Sequence, residues 1–187
     1  MDIFENALLF ATEKHSNQTR RENNAPYIVH PTESAIIIST MTGDREILAA
    51  ALLHDVIEDA GVTADELRER FGDRVTELVL SETEDKRTDR PPADTWQIRK
   101  EESLEKLRNS DDIAVKMLWM GDKLSNIRSF YRLYLEKGSD LWQGFHQKDP
   151  KAQAWYYRTV ADCLSELKDH AVYKEYVYLV NKIFENV

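Results

Sequence analysis

The chain has 187 residues, 42% of them hydrophobic and 32% charged, with a formal net charge of −9. That balance fits a folded domain with a real core and excludes a disordered chain. The acidity argues against general nucleic-acid binding, whose affinity rests on cationic contacts to phosphates. A small anionic ligand stays compatible, because a metal ion and a few arginines can dominate the field at one site. A lone cysteine, Cys163, excludes an internal disulfide and fits a reducing compartment. No apolar run approaches the ~20 residues of a membrane span, and the N-terminus lacks the basic start and apolar stretch of a signal peptide. The expectation is a cytoplasmic protein that binds neither membrane nor nucleic acid.

Phe4, Ala7, Leu8 and Ala11 recur at helical spacing and predict an opening helix over residues 3–16. A polar stretch over 16–26, rich in Asn and Arg, breaks it. Pro31 suits the first turn of the next helix, which carries Ile36, Ile37 and Ile38 to a turn at Gly43-Asp44. A third helix runs through Ala49 to Asp59 and ends before Gly61. Thr63-x-x-Glu66 is a capping box for a short helix that stops at Gly72, and residues 73–83 give another. Residues 84–94 read as a charged loop with Pro91-Pro92, the best candidate for a mobile lid. Helices follow over 95–108, 111–135, 151–168 and 172–184. There is no alternating strand, repeat or linker, so the reading is an all-α single domain over residues 1–187.

The third of these helices carries His54-Asp55 followed by Glu58-Asp59. At about 100° per residue, the four polar side chains fall within an arc of roughly 140°, opposite Leu52, Leu53, Val56 and Ile57. One imidazole and three carboxylates would then meet at one spot. Clustered carboxylates repel, and burying charge is costly unless it is paired or bound to a cation. A divalent metal resolves both difficulties; the alternative is a solvated helix face, against which the flanking Ala49-Ala50-Ala51-Leu52-Leu53 and Val56-Ile57 argue for burial.

Two further elements can join this cluster. Asp122 and Asn126 lie one turn apart on a helix whose apolar stretch up to Met120 implies burial. Asp122 alone reads as an ion-pair partner of Lys123 or Arg128. His30, between an apolar triplet and Pro31, is turned inward; a lone inward histidine is usually a satisfied core residue. Together, two histidines and two aspartates form the mixed nitrogen and oxygen set that Mn²⁺, Fe²⁺ or Zn²⁺ accepts.

His30, His54-Asp55 and the distant Asp122 follow the order of the HD-domain metal-dependent phosphohydrolases. The surrounding text is more specific. His15-x-x-Gln18-x-Arg20-Arg21, Pro26-Tyr27-Ile28-x-His30-Pro31, Ala51-Leu52-Leu53-His54-Asp55-x-x-Glu58-Asp59 and Asp122-Lys123-Leu124-x-Asn126 resemble the hydrolase domain of RelA/SpoT-type alarmone enzymes and its stand-alone versions, the small alarmone hydrolases. The resemblance runs over roughly residues 5–170. It implies an all-helical fold, Mn²⁺ as cofactor, and removal of the 3′-diphosphate of guanosine tetra- and pentaphosphate as pyrophosphate. It further implies His30, His54, Asp55 and Asp122 as metal ligands, with Glu58 and Asp59 orienting and deprotonating the attacking water. Arg20 would pack on the guanine, Asn126 would contact the nucleotide near its 3′ end, and Tyr156 corresponds loosely to a nucleotide-contacting tyrosine. The length leaves no room for the synthetase domain of the bifunctional enzymes, which implies a chain that only degrades. Three positions depart from the family pattern: Arg21 replaces a lysine, Ala60 a threonine and Gly121 an alanine.

The same chemistry is coherent on the residues alone. A divalent ion lowers the pKa of bound water and neutralises phosphate charge, and carboxylates one turn on can take the proton. Arg21, Lys86, Arg87, Lys123 and Arg128 are candidates to steady a departing pyrophosphate, each otherwise a surface charge. Trp96, Trp119, Trp142 and Trp155 could stack a base, though tryptophan at helical spacing is more often core. The substrate is thus expected to be a small-molecule nucleotide, and a homo-oligomer is open. Two alternatives stand beside the alarmone reading: the same fold acting on another nucleotide or dinucleotide phosphate, and a nucleotide-sensing module without turnover. The water-activating pair Glu58-Asp59 counts against the sensor.

Overall fold

The computed structural model describes residues 2–20 and 23–187. The chain divides into two compact units, Met1–Thr83 with Asp111–Ser125, and Glu84–Ser110 with Asn126–Val187. The described residues are helical as expected, with one isolated bridge between Thr19 and Pro26.

The first unit holds α1 (Ile3–Lys14), α2 (Val29–Ser39), α3 (Arg45–Leu53), α4 (Val56–Ala60), α5 (Ala64–Glu82) and the first half of α7 (Ile113–Lys137). Local capping starts the helices. Asp2 and Glu5 form a capping box on α1, Asp44 accepts from the first turn of α3, and Thr63 accepts from Glu66 N at 3.1 Å. α3 packs against α1, α2 and α5. Ala49, Ala50, Ala51, Leu52 and Leu53 are all fully buried, because three consecutive alanines let neighbouring helices close in from every side. α5 kinks at Gly72, whose φ of 83° a side chain would strain. That is where the sequence places a stop.

One expected helix is two. The helix predicted to run unbroken to Asp59 is interrupted at His54-Asp55, between α3 and α4. His54 Nδ1 lies 2.8 Å from Ala51 O. A side chain therefore takes one of the carbonyls orphaned at the end of α3, and the backbone ladder restarts with Asp59 N bonding Asp55 O at 2.9 Å. The single polar arc drawn for an ideal helix is split accordingly, with His54 buried and Asp59 exposed.

α7 approaches α2 closely at Gly121. A methyl placed there would stand 2.6 Å from Ile38 Cγ1 and Cδ1 and 2.8 Å from Ser34 Oγ. Ile38 and Ser34 are themselves fully buried, so neither can step aside freely. Gly121→Ala gains up to about 1 kcal/mol of helix propensity against an overpacking penalty of about 1–3 kcal/mol. The expected outcome is a lower melting temperature, checked by circular dichroism; an unchanged or higher one would show that Ile38 repacks without cost.

The second unit holds α6 (Pro92–Arg108), the rest of α7, α8 (Pro150–Cys163) and α9 (Ala171–Ile183), with short 3-10 turns at Gly138–Gly144 and Ser165–Leu167. α6 starts at Pro92, three residues earlier than predicted, with proline in its first turn. The helix predicted over 151–168 ends at Cys163. The tighter turn that follows brings buried Leu164 and Leu167 onto one side, as the three-residue period allows. The segment marked as a lid is tied to α6: Glu84 accepts from Arg99 at 2.7 Å, Lys100 at 2.6 Å and Ser103 at 3.1 Å, and Arg87 grips Glu102 with both terminal nitrogens. Trp142 stacks on Phe184, and Phe130 meets Trp142, Phe145 and Tyr157 edge-on. Trp96, Trp119 and Trp142 are core residues, whereas Trp155 is 36% exposed. Among the described residues, no helix is long and apolar enough to cross a membrane.

Candidate metal centre

The break after α3 turns His54 into the first unit, where α2 delivers His30 and α7 delivers Asp122. His30 Nε2 and His54 Nε2 are 3.3 Å apart. Asp122 Oδ1 is 3.0 Å from His30 Nε2 and 3.6 Å from His54 Nε2, while Asp55 Oδ2 is 3.0 Å from His54 Nε2 and 3.6 Å from His30 Nε2. Donors held at roughly 2.0–2.2 Å from one ion stand at about these separations. His30, His54 and Asp122 are 3%, 2% and 5% exposed.

The outer hydrogen bonds decide which nitrogens face inward. Ala51 O can only accept, so His54 Nδ1 carries the proton and Nε2 is bare. His30 Nδ1 lies 2.8 Å from Ser125 Oγ, and that hydroxyl donates to Glu33 Oε2 at 2.9 Å. The two Nε2 atoms face each other at 3.3 Å; with both bare they would repel, so the pair calls for a metal ion or a proton between them. Nitrogen and carboxylate oxygen together form the donor set of a divalent transition metal.

The electrostatics carry the same demand. Burial opposes charge on His54, but the carboxylates of Asp55 and Asp122 outweigh it and lift its pKa well above the ordinary value. Burial wins at His30 and lowers its pKa. Burial also pushes Asp122 upward, yet the Lys123 ammonium and both histidines leave it well below the usual range. Without metal, a proton on His54 is the cation the cluster asks for.

Around the cluster, Tyr27 OH is 2.7 Å from Asp55 Oδ2 and 3.3 Å from Asp59 Oδ2. Burial and both carboxylates raise the phenol pKa, so Tyr27 remains a donor. Gln18 donates to Asp59 O and meets His15 Nδ1 at 2.7 Å. Asp59 is exposed and Glu58 half-buried in the first turn of α4.

Lys123, read from sequence as a substrate contact, is 9% exposed. It pairs with Asp122 Oδ2, lies 3.1 Å from Glu82 Oε1 and stands over the Trp119 ring. Burial lifts the Glu82 pKa to about 8, with Lys123 pulling it down and Asp122 pushing it up. Arg20 lies over the Tyr27 ring at 5.8 Å, and Arg21 falls outside the described residues. Arg87 and Arg128 are engaged by Glu102 and Glu175. Asn126 and Tyr156 belong to the second unit, where Trp96 and Lys100 pack on the Tyr156 ring.

Several residues around the cluster carry no marked signal in the sequence. Tyr27 sits inside a quoted motif without a role, and Ser125 occupies the unspecified place in Asp122-Lys123-Leu124-x-Asn126. Glu33 reaches the cluster through Ser125 and Glu82 through Lys123.

A helical unit that gathers two histidines and two aspartates in this order is the architecture of one class of phosphohydrolase. The chain belongs to the HD-domain family: the family profile described as "HD domain" matches residues 7–148. Among its relatives, the chain is 35% identical over 130 residues to the guanosine-3′,5′-bis(diphosphate) 3′-pyrophosphohydrolase of Aquifex aeolicus, covering 68% of this chain and 18% of that one. It is 36% identical over 140 residues to the protein of the same name from Vibrio cholerae, covering 73% of this chain and 19% of that one. The chain therefore spans less than a fifth of the length of these curated relatives. Among solved structures it is similar to a metazoan ortholog of SpoT described as hydrolysing ppGpp and acting in starvation responses. That match has 26% identity and a TM-score of 0.73, and covers 99% of this chain and 95% of that one. A crystal structure from Listeria monocytogenes matches at 31% identity and a TM-score of 0.73, covering 84% and 99%.

Proposed function

We propose that this protein is a metal-dependent hydrolase that removes the 3′-diphosphate of guanosine tetra- and pentaphosphate as pyrophosphate, with Mn²⁺ as its ion. The observation that carries the reading is the buried pair of inward-facing imidazole nitrogens flanked by Asp55 and Asp122. The names of the relatives and the activity of the metazoan neighbour supply the substrate. The HD-domain match draws on residues of both units, which supports treating 1–187 as one catalytic domain.

When bound by His30, His54, Asp55 and Asp122, the ion would acidify water and neutralise phosphate charge. Glu58 and Asp59 accept the proton of the attacking water, whose oxygen joins the phosphorus on the 3′ oxygen as the bond between them breaks. The proton taken up by the Glu58-Asp59 pair passes to the departing 3′ oxygen, and pyrophosphate leaves as one unit. Tyr27, bonded to Asp55 and within reach of Asp59, holds a ligand and a base in fixed relation. Lys123, tied to Asp122, orients a ligand in this scheme rather than touching the phosphates. Arg21, Asn126 and Tyr156 are assigned to nucleotide binding on the resemblance alone.

Product analysis tests the reading. Protein loaded with Mn²⁺ is incubated with a nucleotide panel and the products are separated by chromatography. Pyrophosphate from 3′-diphosphates, with monophosphates left intact, is the expected result. Orthophosphate from monophosphates would redirect the assignment to another substrate, and binding without product under any metal would leave a sensor.

Arg20 offers a planar cation suited to stacking on a base, and its perch on Tyr27 places it near the cluster. Arg20→Ala is expected to raise KM far more than it lowers kcat, since base contacts are shared by ground and transition states. Steady-state kinetics check this, and an unchanged KM would place the base elsewhere.

A further inference from the structure

We propose that Ser125 and Glu33 form a positioning relay that fixes which nitrogen of His30 is bare, and thereby sets the metal affinity of the centre. The inference rests on the metal-centre reading above and extends it to two residues outside the ligand set.

Ser125 has one hydroxyl proton and two possible recipients. His30 Nδ1 stands 2.8 Å from Oγ on one side and Glu33 Oε2 stands 2.9 Å away on the other. A serine alone would be indifferent: it could donate to a bare Nδ1 or accept from a protonated one. Glu33 breaks the tie. An ionised carboxylate has no proton to give, so the serine must donate to it or face it lone pair to lone pair. With that proton committed, Oγ can only accept, and His30 must present Nδ1–H. The ring's other nitrogen, Nε2, is then bare and faces His54 Nε2 and Asp122 Oδ1.

His54 reaches the same state through a backbone carbonyl, which no substitution can alter. At His30 the choice of tautomer is delegated to two side chains. Ser125 is 1% exposed and His30 3%, so bulk water does not substitute for the serine. Glu33 is only half-buried, and its replacement leaves the core intact. Outer-shell partners of this kind typically change metal affinity by ~10–100-fold.

Glu33→Gln and Ser125→Ala probe the relay from its two ends. A glutamine amide can donate to Ser125 Oγ, which frees the serine proton for His30 Nδ1 and moves the ring's own proton to Nε2. Alanine removes the anchor altogether without changing the charge. Full-length protein is titrated with Mn²⁺ by calorimetry in competition with a chelator, metal-free protein is melted, and the Zn²⁺-loaded form is examined by ¹⁵N NMR of the histidine rings. Both variants are expected to bind Mn²⁺ ~10–100-fold more weakly, and Glu33→Gln to melt like wild type. The His30 Nδ1–H signature should be present in wild type and lost or shifted in Glu33→Gln. Wild-type affinity in both variants would overturn the relay. So would weakening confined to Glu33→Gln with the Nδ1–H signature kept, since that marks a distant charge effect. Absence of Mn²⁺ binding in the wild-type protein would overturn the metal centre itself, a different result from failure of the relay.

Discussion

Asp122→Asn is expected to yield a folded protein that neither retains a divalent ion nor turns over nucleotide. Asp122 serves two partners with its two oxygens: Oδ1 faces His30 and His54, and Oδ2 takes the Lys123 ammonium. Asparagine keeps the volume and an acceptor but withdraws the charge that a cation needs. Alanine is the poorer probe, because besides the charge it removes the acceptor that Lys123, His30 and His54 face and leaves a space in a buried cluster. A loss of metal in Asp122→Ala would be confounded with a loss of fold. His54→Ala makes the parallel test from another helix, deleting one inward nitrogen and the cap on Ala51 O. Elemental analysis of the purified variants reads out bound metal, and circular dichroism reads out fold. Full occupancy in both Asp122→Asn and His54→Ala would refute the ligand set.

The second large effect concerns α4. Glu58→Gln and Asp59→Asn should each keep the metal yet lower kcat by ~10²–10⁴-fold, the usual contribution of a general base. At 1.36 kcal/mol per decade this is about 2.7–5.4 kcal/mol of transition-state stabilisation. The atoms that converge on the cluster belong to His30, His54, Asp55 and Asp122, so neither change removes a proposed ligand, and an amide cannot accept the proton. Asp59 is exposed and so can meet a water arriving from solvent, while Tyr27 restrains its carboxylate at 3.3 Å. Steady-state rates with metal content measured on the same samples check the pair. Near wild-type turnover in both variants would show that neither carboxylate takes the proton.

The helical class was legible because apolar spacing, Thr63-x-x-Glu66 and Gly72 are local signals: Thr63 caps the start of α5, and Gly72, expected to end that helix, kinks it instead. The interruption at His54-Asp55 was not. The ladder breaks there because an imidazole, not a backbone amide, bonds Ala51 O, and no spacing rule reports the aim of a side chain. The order His30, His54, Asp55, Asp122 led to the expectation of a metal site, and the fold brings those four side chains together. Lys123, which read as a surface cation, lies buried for an equally physical reason. A lysine beside an aspartate reads as a surface cation, whereas Glu82, 41 residues earlier on α5, gives it a buried seat. Ser125 and Glu33 were invisible because their meaning depends on the direction of a proton across 92 positions of chain.

The contact at Gly121 also bears on how this lineage can change. Ile38 fills the space that a methyl at Gly121 would claim, and Gly121 directly precedes a proposed ligand. An alanine at Gly121 therefore calls for a smaller residue at Ile38, and a chain that acquires the alanine first passes through an overpacked state. The two sites form an exchangeable pair across two helices, open to substitution together and closed to it singly. Ile38→Ala, which removes both close carbons, combined with Gly121→Ala should accordingly cost less than the sum of the two single changes, with a coupling of about 0.5–3 kcal/mol, as is typical for residues in contact.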